Sequence, residues 1–185
     1  MGRRVVRIVA ILLSFGPISG AHLNPAVTAC MAATRDITPL ATVGYIATQI
    51  VGAIVGAMLA NAMFELDVVS MSTTVRAGFP KLLSEGVATF GLMGVVISVG
   101  RTRASAAPFA VAAYIVAAYW FTASTSFANS AVTIGRAFSD TYAGIRVADV
   151  AGFVTVQAVG AVIGAVLFAW LVPHPEATAR PVARA

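Results

Sequence analysis

The sequence predicts an all-α membrane protein: an inverted repeat of transmembrane helices with two re-entrant half-helices and about five full spans. Three observations carry that prediction. The chain of 185 residues is 59% hydrophobic and only 10% charged, with a mean hydropathy of +0.90, well outside the makeup of a soluble domain. Its uncharged stretches are long enough to cross a bilayer, whose hydrocarbon core of about 30 Å takes roughly 20 apolar residues in a helix. An uncommon polar segment, Asn24-Pro25-Ala26-Val27-Thr28, also returns in the second half of the chain as Asn129-Ser130-Ala131-Val132-Thr133.

The N-terminal segment pairs a basic start at Arg3 and Arg4 with an apolar stretch from Ile8 to Phe15. That resembles a signal peptide, but its small residues run directly into the first Asn box, which fits a shortened membrane helix better. After Asn24, about ten residues remain before Arg35-Asp36, enough for a helix of roughly 15 Å, half a bilayer. The uncharged run Ile37 to Phe64 spans. Leu82 to Gly100 spans with Glu85 inside it, Ala104 to Gly135 is a third such run, and Val150 to Pro173 is a fourth.

Downstream of each box the repeat continues. Tyr45 to Ala60 aligns with Phe153 to Phe168, matching Gln49 with Gln157, Gly52 with Gly160 and Gly56 with Gly164. Residues 1–172 form one domain, with a first repeat over about 1–64 and a second over about 82–172, followed by a polar cytoplasmic tail at 173–185. Three full spans separate the two boxes, so the boxes lie on opposite sides of the membrane. An inverted repeat of this kind places a shared site near the bilayer midplane. The two Gly-x-x-x-Gly pairs are expected to pack the halves together. Gln49 and Gln157, polar within apolar spans, are expected to bond loop carbonyls of the re-entrant segments.

Each box reads as a helix start, since Asn is a favoured N-cap and Pro a favoured first residue. Two half-helices entering from opposite faces meet with both N-termini inward, where partial positive charge and unpaired N–H groups repel a cation. The side-chain amides of Asn24 and Asn129 still offer N–H donors to a neutral solute, and the non-helical backbone before each box offers carbonyls. Such a site suits a small, uncharged, hydrogen-bonding molecule.

Other function classes find little support. The formal net charge of +5 is scattered at span ends with no dense basic face, against nucleic acid as a partner. Arg101 and Arg103, with Arg180 and Arg184, fall on the cytoplasmic side by the positive-inside rule. The lone Cys30 excludes an internal disulfide and gives no metal-ligand spacing, and no cofactor is called for. No carboxylate pair or activated nucleophile suggests an enzyme; Glu65 and Asp67 read as solvated loop charges.

With these residues in view, the sequence resembles the major intrinsic protein family, the aquaporins and aquaglyceroporins, over nearly its whole length. Ser19-Gly-Ala-His-Leu-Asn-Pro-Ala-Val-Thr28 is similar to the family's first box, Ser124 to Thr133 to its second, and Ser84 to Leu92 to its Glu-bearing helix. Tyr45 to Ala57 resembles its third span. The resemblance implies a six-span channel with two half-helices in the cell membrane, assembled as a homotetramer with one pore per protomer. It assigns the pore to Asn24, Pro25, Ala26, Asn129, Ser130 and Ala131, and the constriction to Ala117, Ser126, Val132 and Arg4.

Three departures from the family pattern follow. A counterpart of the Glu-bearing span before Arg3 is absent, so a longer parent chain is expected. The second box is Asn-Ser-Ala instead of Asn-Pro-Ala, a tolerated helix start. Val132 stands where water-selective members carry an Arg, so a wider and less polar constriction is expected, passing polyols or metalloid hydroxides such as glycerol or arsenite. Arg136 either substitutes for that Arg or pairs with Asp140 at i+4. His22 and Phe127 hold matching places two residues before each Asn; His22 either tunes the inner mouth with pH or is a static loop histidine. Two alternatives to a passive channel stand beside it: a non-conducting fragment with a structural role, and a coupled transporter using Glu85. Glu85 fits better as a hydrogen-bond anchor for loop backbone.

Overall fold

The computed structural model describes residues 2–34 and 37–173, with side chains from Val5 onward. The Arg4 side chain, Arg35, Asp36, Arg180, Arg184 and the tail beyond residue 173 lie outside the described residues. All regular structure among the described residues is helical: α1 Gly2–Ser19, α2 Pro25–Ala33, α3 Pro39–Met63, α4 Phe79–Thr102, α5 Ala107–Phe121, α6 Ser130–Gly135 and α7 Val147–Leu171. Short 3₁₀ turns at Ala104–Ala106 and Arg136–Phe138 precede α5 and follow α6. Four segments are long and apolar enough to cross a membrane: α3, α4, Ala104–Phe121 and α7. The apolar part of α1, Val5–Ser19, is the shorter helix that the sequence suggests.

Helix starts follow local chemistry. Thr38 caps α3 by accepting from Ala41 N at 3.3 Å, with Pro39 in the first turn, where its missing N–H costs nothing. α4 begins after Gly78, whose φ of +109° is open only to glycine. At the far end of α4, Arg101 donates to the Ala169 carbonyl at 3.1 Å and to the Val172 carbonyl, capping α7 with a cation at its negative end. α4 and α7 therefore end on the same side of the bundle.

The glycine pairs do different work from that expected. A Cβ at Gly160 would strike the Gly86 carbonyl, and one at Gly164 would sit 2.6 Å from the Phe90 carbonyl. The second pair thus fits α7 against α4 within one repeat and does not join the two halves. Gly52 and Gly56, their counterparts on α3, meet nothing within 4 Å. The halves meet instead where α3 packs on α6 and α1 on α5, with Gly135 close against the Ala53 carbonyl, and where Ala26, Val27 and Cys30 of α2 pack in one core with Ala88, Leu92 and Met93 of α4, Ala118 of α5 and Ala161 of α7. Small residues dominate that core, and their short side chains let the backbones approach closely.

The connection from α3 to α4 is non-helical and lies along residues 137–149. Ser72 N donates to the Ala137 carbonyl at 2.9 Å and Arg146 N to the Thr74 carbonyl at 2.8 Å. Asn61, buried at the end of α3, donates to the Val68 and Phe138 carbonyls and accepts from Ser139 Oγ at 2.7 Å. Glu65 and Asp67 are exposed, as their reading as solvated charges requires.

Candidate functional site

The two half-helices meet N-terminus to N-terminus through a reciprocal clamp. Asn24 caps α2, its Oδ1 accepting from Ala26 N at 3.0 Å, while its Nδ2 donates to the Ala128 carbonyl at 2.7 Å. Asn129 caps α6, accepting from Ala131 N and Val132 N, and donates to the Leu23 carbonyl at 2.7 Å. Each asparagine thus ties its own helix start to the residue just before the other asparagine. Ser130 serves at the start of α6 in place of proline, and α6 is the shorter of the two half-helices.

The approach to each box repeats residue by residue. Gly20 and Thr125 have φ of +69° and +70°, Ala21 and Ser126 +44° and +46°, Leu23 and Ala128 +51° and +45°. The caps agree as well, Asn24 at φ −153°, ψ 119° and Asn129 at φ −156°, ψ 115°. Left-handed conformations at non-glycine residues are costly, about 1–3 kcal/mol each, and persist where surrounding contacts over-determine them.

Those contacts are visible. Glu85, fully buried, accepts from Ser124 Oγ at 2.6 Å and Phe127 N at 2.8 Å on one oxygen, and from Ala128 N at 2.8 Å and Gln157 Nε2 at 2.7 Å on the other. It anchors loop backbone, as the sequence suggests. The glutamines depart from expectation: their partners are side chains. Gln157 donates to Thr133 Oγ1 as well as Glu85 and accepts from Ser130 Oγ at 3.2 Å. Gln49 donates to Thr28 Oγ1 at 2.9 Å, the same contact in the first repeat. Its Oε1 is buried without a partner, because Pro25 stands where Ser130 supplies the hydroxyl.

A cavity of about 660 Å³ runs past this junction. Its lining extends from Ala104 and Ala107, at the α5 end that follows Arg103, to Tyr142 and Ala143 beside the α3–α4 connection, so it reaches both ends of the bundle. Of the residues singled out from the sequence, His22, Asn24, Ser126, Phe127, Asn129, Val132 and Arg136 line it. Pro25, Ala26, Ser130 and Ala131 are buried in the half-helix starts. Ala117 is exposed; the α5 residues facing the cavity include Val111, Tyr114, Ile115 and Tyr119. His22 sits 3.3 Å from Thr28 Oγ1 through Nδ1 and 5.5 Å from the Tyr45 ring. The Asp140 carboxylate accepts from Thr73 N and Oγ1.

Sequence reasoning missed Arg76. This residue of the α3–α4 connection is buried behind the cavity wall, with Nε on the Gly144 carbonyl at 2.6 Å. One terminal nitrogen donates to the Ser124 carbonyl and Thr125 Oγ1, the other to the Tyr142 carbonyl. Its guanidinium carbon lies 4.8 Å from the centre of the Phe127 ring. Burial pulls its pKa below the usual range, and the Glu85 carboxylate works in the opposite sense. Nothing in the local sequence signals this, since every partner is far along the chain.

Apolar spans surrounding a two-ended cavity, with paired half-helix starts at its middle, define a multi-pass membrane channel. Residues 5–122 match the model of the family described as major intrinsic protein. The chain is 45% identical over 177 residues to Aquaglyceroporin AqpS of Rhizobium meliloti (strain 1021), covering 96% of this chain and 74% of that protein. It is 31% identical over 182 residues to Probable aquaporin AqpM of Archaeoglobus fulgidus, covering 89% and 70%. It is also 33% identical over 100 residues to the Glycerol uptake facilitator protein of Bacillus subtilis (strain 168), covering 48% and 36%. The chain belongs to the major intrinsic protein family, whose members are channels for water and small solutes and not enzymes.

Proposed function

We propose that this chain is a passive channel for small neutral solutes, wider than a strict water channel and open to glycerol and to neutral metalloid hydroxides such as arsenite. The observation that carries the reading is the reciprocal asparagine clamp at the middle of a cavity whose nearby walls are Ser126 and Val132. Each amide keeps one N–H beyond the one given to the facing carbonyl, a donor for a hydroxyl passing the junction. Both half-helix N-termini disfavour a cation at the same point. Val132 presents an apolar wall, which fits carbon-bearing solutes. The names of two relatives, an aquaglyceroporin and a glycerol uptake facilitator, support the same reading. In this account the protein sits in the cell membrane as a homotetramer, with the end bearing Arg101 and Arg103 in the cytoplasm.

Stopped-flow light scattering on proteoliposomes tests the proposal. Osmotic shrinkage and re-swelling in glycerol should both run faster than in protein-free vesicles. Faster shrinkage with re-swelling at the lipid rate would make the pore a strict water channel. A second reading, a chain that conducts nothing by itself, is favoured by the open Gly52 and Gly56 face. It corresponds to lipid rates in both experiments.

A further inference from the structure

We infer that Arg76 is a specificity-determining positioning residue: from behind the cavity wall it fixes the Ser124 to Phe127 segment, and so sets the largest solute that passes this end of the cavity. The inference rests on the reading of the cavity as a solute path. Its basis is an asymmetry between the two repeats. In the first, the left-handed run opens with Gly20, for which φ of +69° carries no penalty. In the second, the equivalent residue is Thr125, a β-branched residue at φ +70°, which stays there only under external constraint.

Arg76 supplies that constraint from one side and Glu85 from the other. The planar guanidinium holds the Ser124 carbonyl and Thr125 Oγ1, while its remaining contacts reach the Gly144 and Tyr142 carbonyls. It also backs the ring of Phe127. Thr125, Phe127 and Tyr142 all line the cavity while Arg76 does not, although it borders the adjoining recess beside Thr125 and Tyr142, so one buried side chain braces three wall residues. The Glu85 carboxylate holds the same segment from its other side, so the two side chains together fix wall position. A lysine cannot reproduce it, since an ammonium lacks the planar fork and its stacking face.

The test compares wild type with Arg76→Gln and Arg76→Lys in proteoliposomes. It measures the ratio of xylitol to glycerol permeability together with proton leak read by an entrapped pH dye. The ratio should rise severalfold in Arg76→Gln and stay raised in Arg76→Lys, with no new proton leak. Equal reduction of both fluxes at an unchanged ratio would reduce Arg76 to a purely structural role and overturn the inference. So would a proton leak in Arg76→Gln that Arg76→Lys abolishes, because the role would then be the charge. If Arg76→Gln does not fold, Arg76→Lys decides alone: its ratio should be raised, an unchanged ratio being contrary. Lipid rates in wild type would overturn the channel reading and this inference with it; wild-type glycerol flux with unaltered ratios in the variants overturns the inference alone.

Discussion

Replacing Glu85 by glutamine isolates the anchor beneath the second box. The carboxylate accepts from Ser124 Oγ and Phe127 N through one oxygen and from Ala128 N and Gln157 Nε2 through the other. Glutamine keeps the shape, but only one of its ends accepts. Whichever way the amide turns, it loses two contacts and sets an NH₂ against donors. Hydrogen bonds to charged groups contribute about 1.5–3 kcal/mol each, so two lost contacts amount to about 3–6 kcal/mol. The Ser124 hydroxyl can rotate to accept from the new amide, which favours the lower end. Glu85→Gln should therefore be destabilised by about 3 kcal/mol in reversible SDS titration of the protein in mixed micelles, followed by tryptophan fluorescence. Glycerol flux should fall with it, as the strained segment at Thr125, Ser126 and Ala128 relaxes. A loss under about 1 kcal/mol with normal flux would show that the segment holds its conformation without the anchor, and would refute this reasoning.

Further substitutions test three separate parts of the structure. Gly160→Ala drives a methyl group into the Gly86 backbone and should cost about 1–3 kcal/mol as overpacking, whereas Gly52→Ala should be nearly neutral in the same titration. Asn24→Ala and Asn129→Ala each remove a cap and one arm of the clamp; each should cost about 1–3 kcal/mol, with the double variant departing from additivity because the two arms close one junction. Val132→Arg places a fixed cation on the cavity wall and should cut glycerol flux far more than water flux in stopped-flow measurements.

Much of this was legible in the sequence because it is local or periodic. The Asn boxes announce helix starts through capping chemistry that acts within three residues, and their recurrence points to a repeat, whose two loop approaches share φ values at Ala21 with Ser126 and Leu23 with Ala128. The span lengths follow from hydropathy. Contacts made across the fold were not legible. The side-chain partners of Arg76 begin at Ser124, and the distant partners of Asn61 lie at Phe138 and Ser139, with no spacing rule to connect them. Ala117 shows a different limit: residue spacing along a helix fixes height in the membrane, while the direction in which the side chain points depends on how α5 packs. The glycine pairs show a third, since a small-residue motif names a surface for close approach but not the helix that uses it. Gln49 and Gln157 were recognisable as polar groups in need of partners, yet the hydroxyls of Thr28, Ser130 and Thr133 that they bond sit on the half-helices, which only the folded arrangement brings within reach.

The central claim, that solutes travel through the cavity at the junction of the half-helices, is tested most directly by blocking it chemically. Val132 lines the cavity, while the single native thiol, Cys30, is buried in the core beside α4. Glycerol flux through Val132→Cys proteoliposomes, measured before and after a bulky methanethiosulfonate reagent, should fall to the lipid rate on labelling and recover on reduction, with wild type unaffected. Stoichiometric labelling of Val132→Cys that leaves glycerol flux unchanged would contradict the account, because the solute would then be crossing by another route.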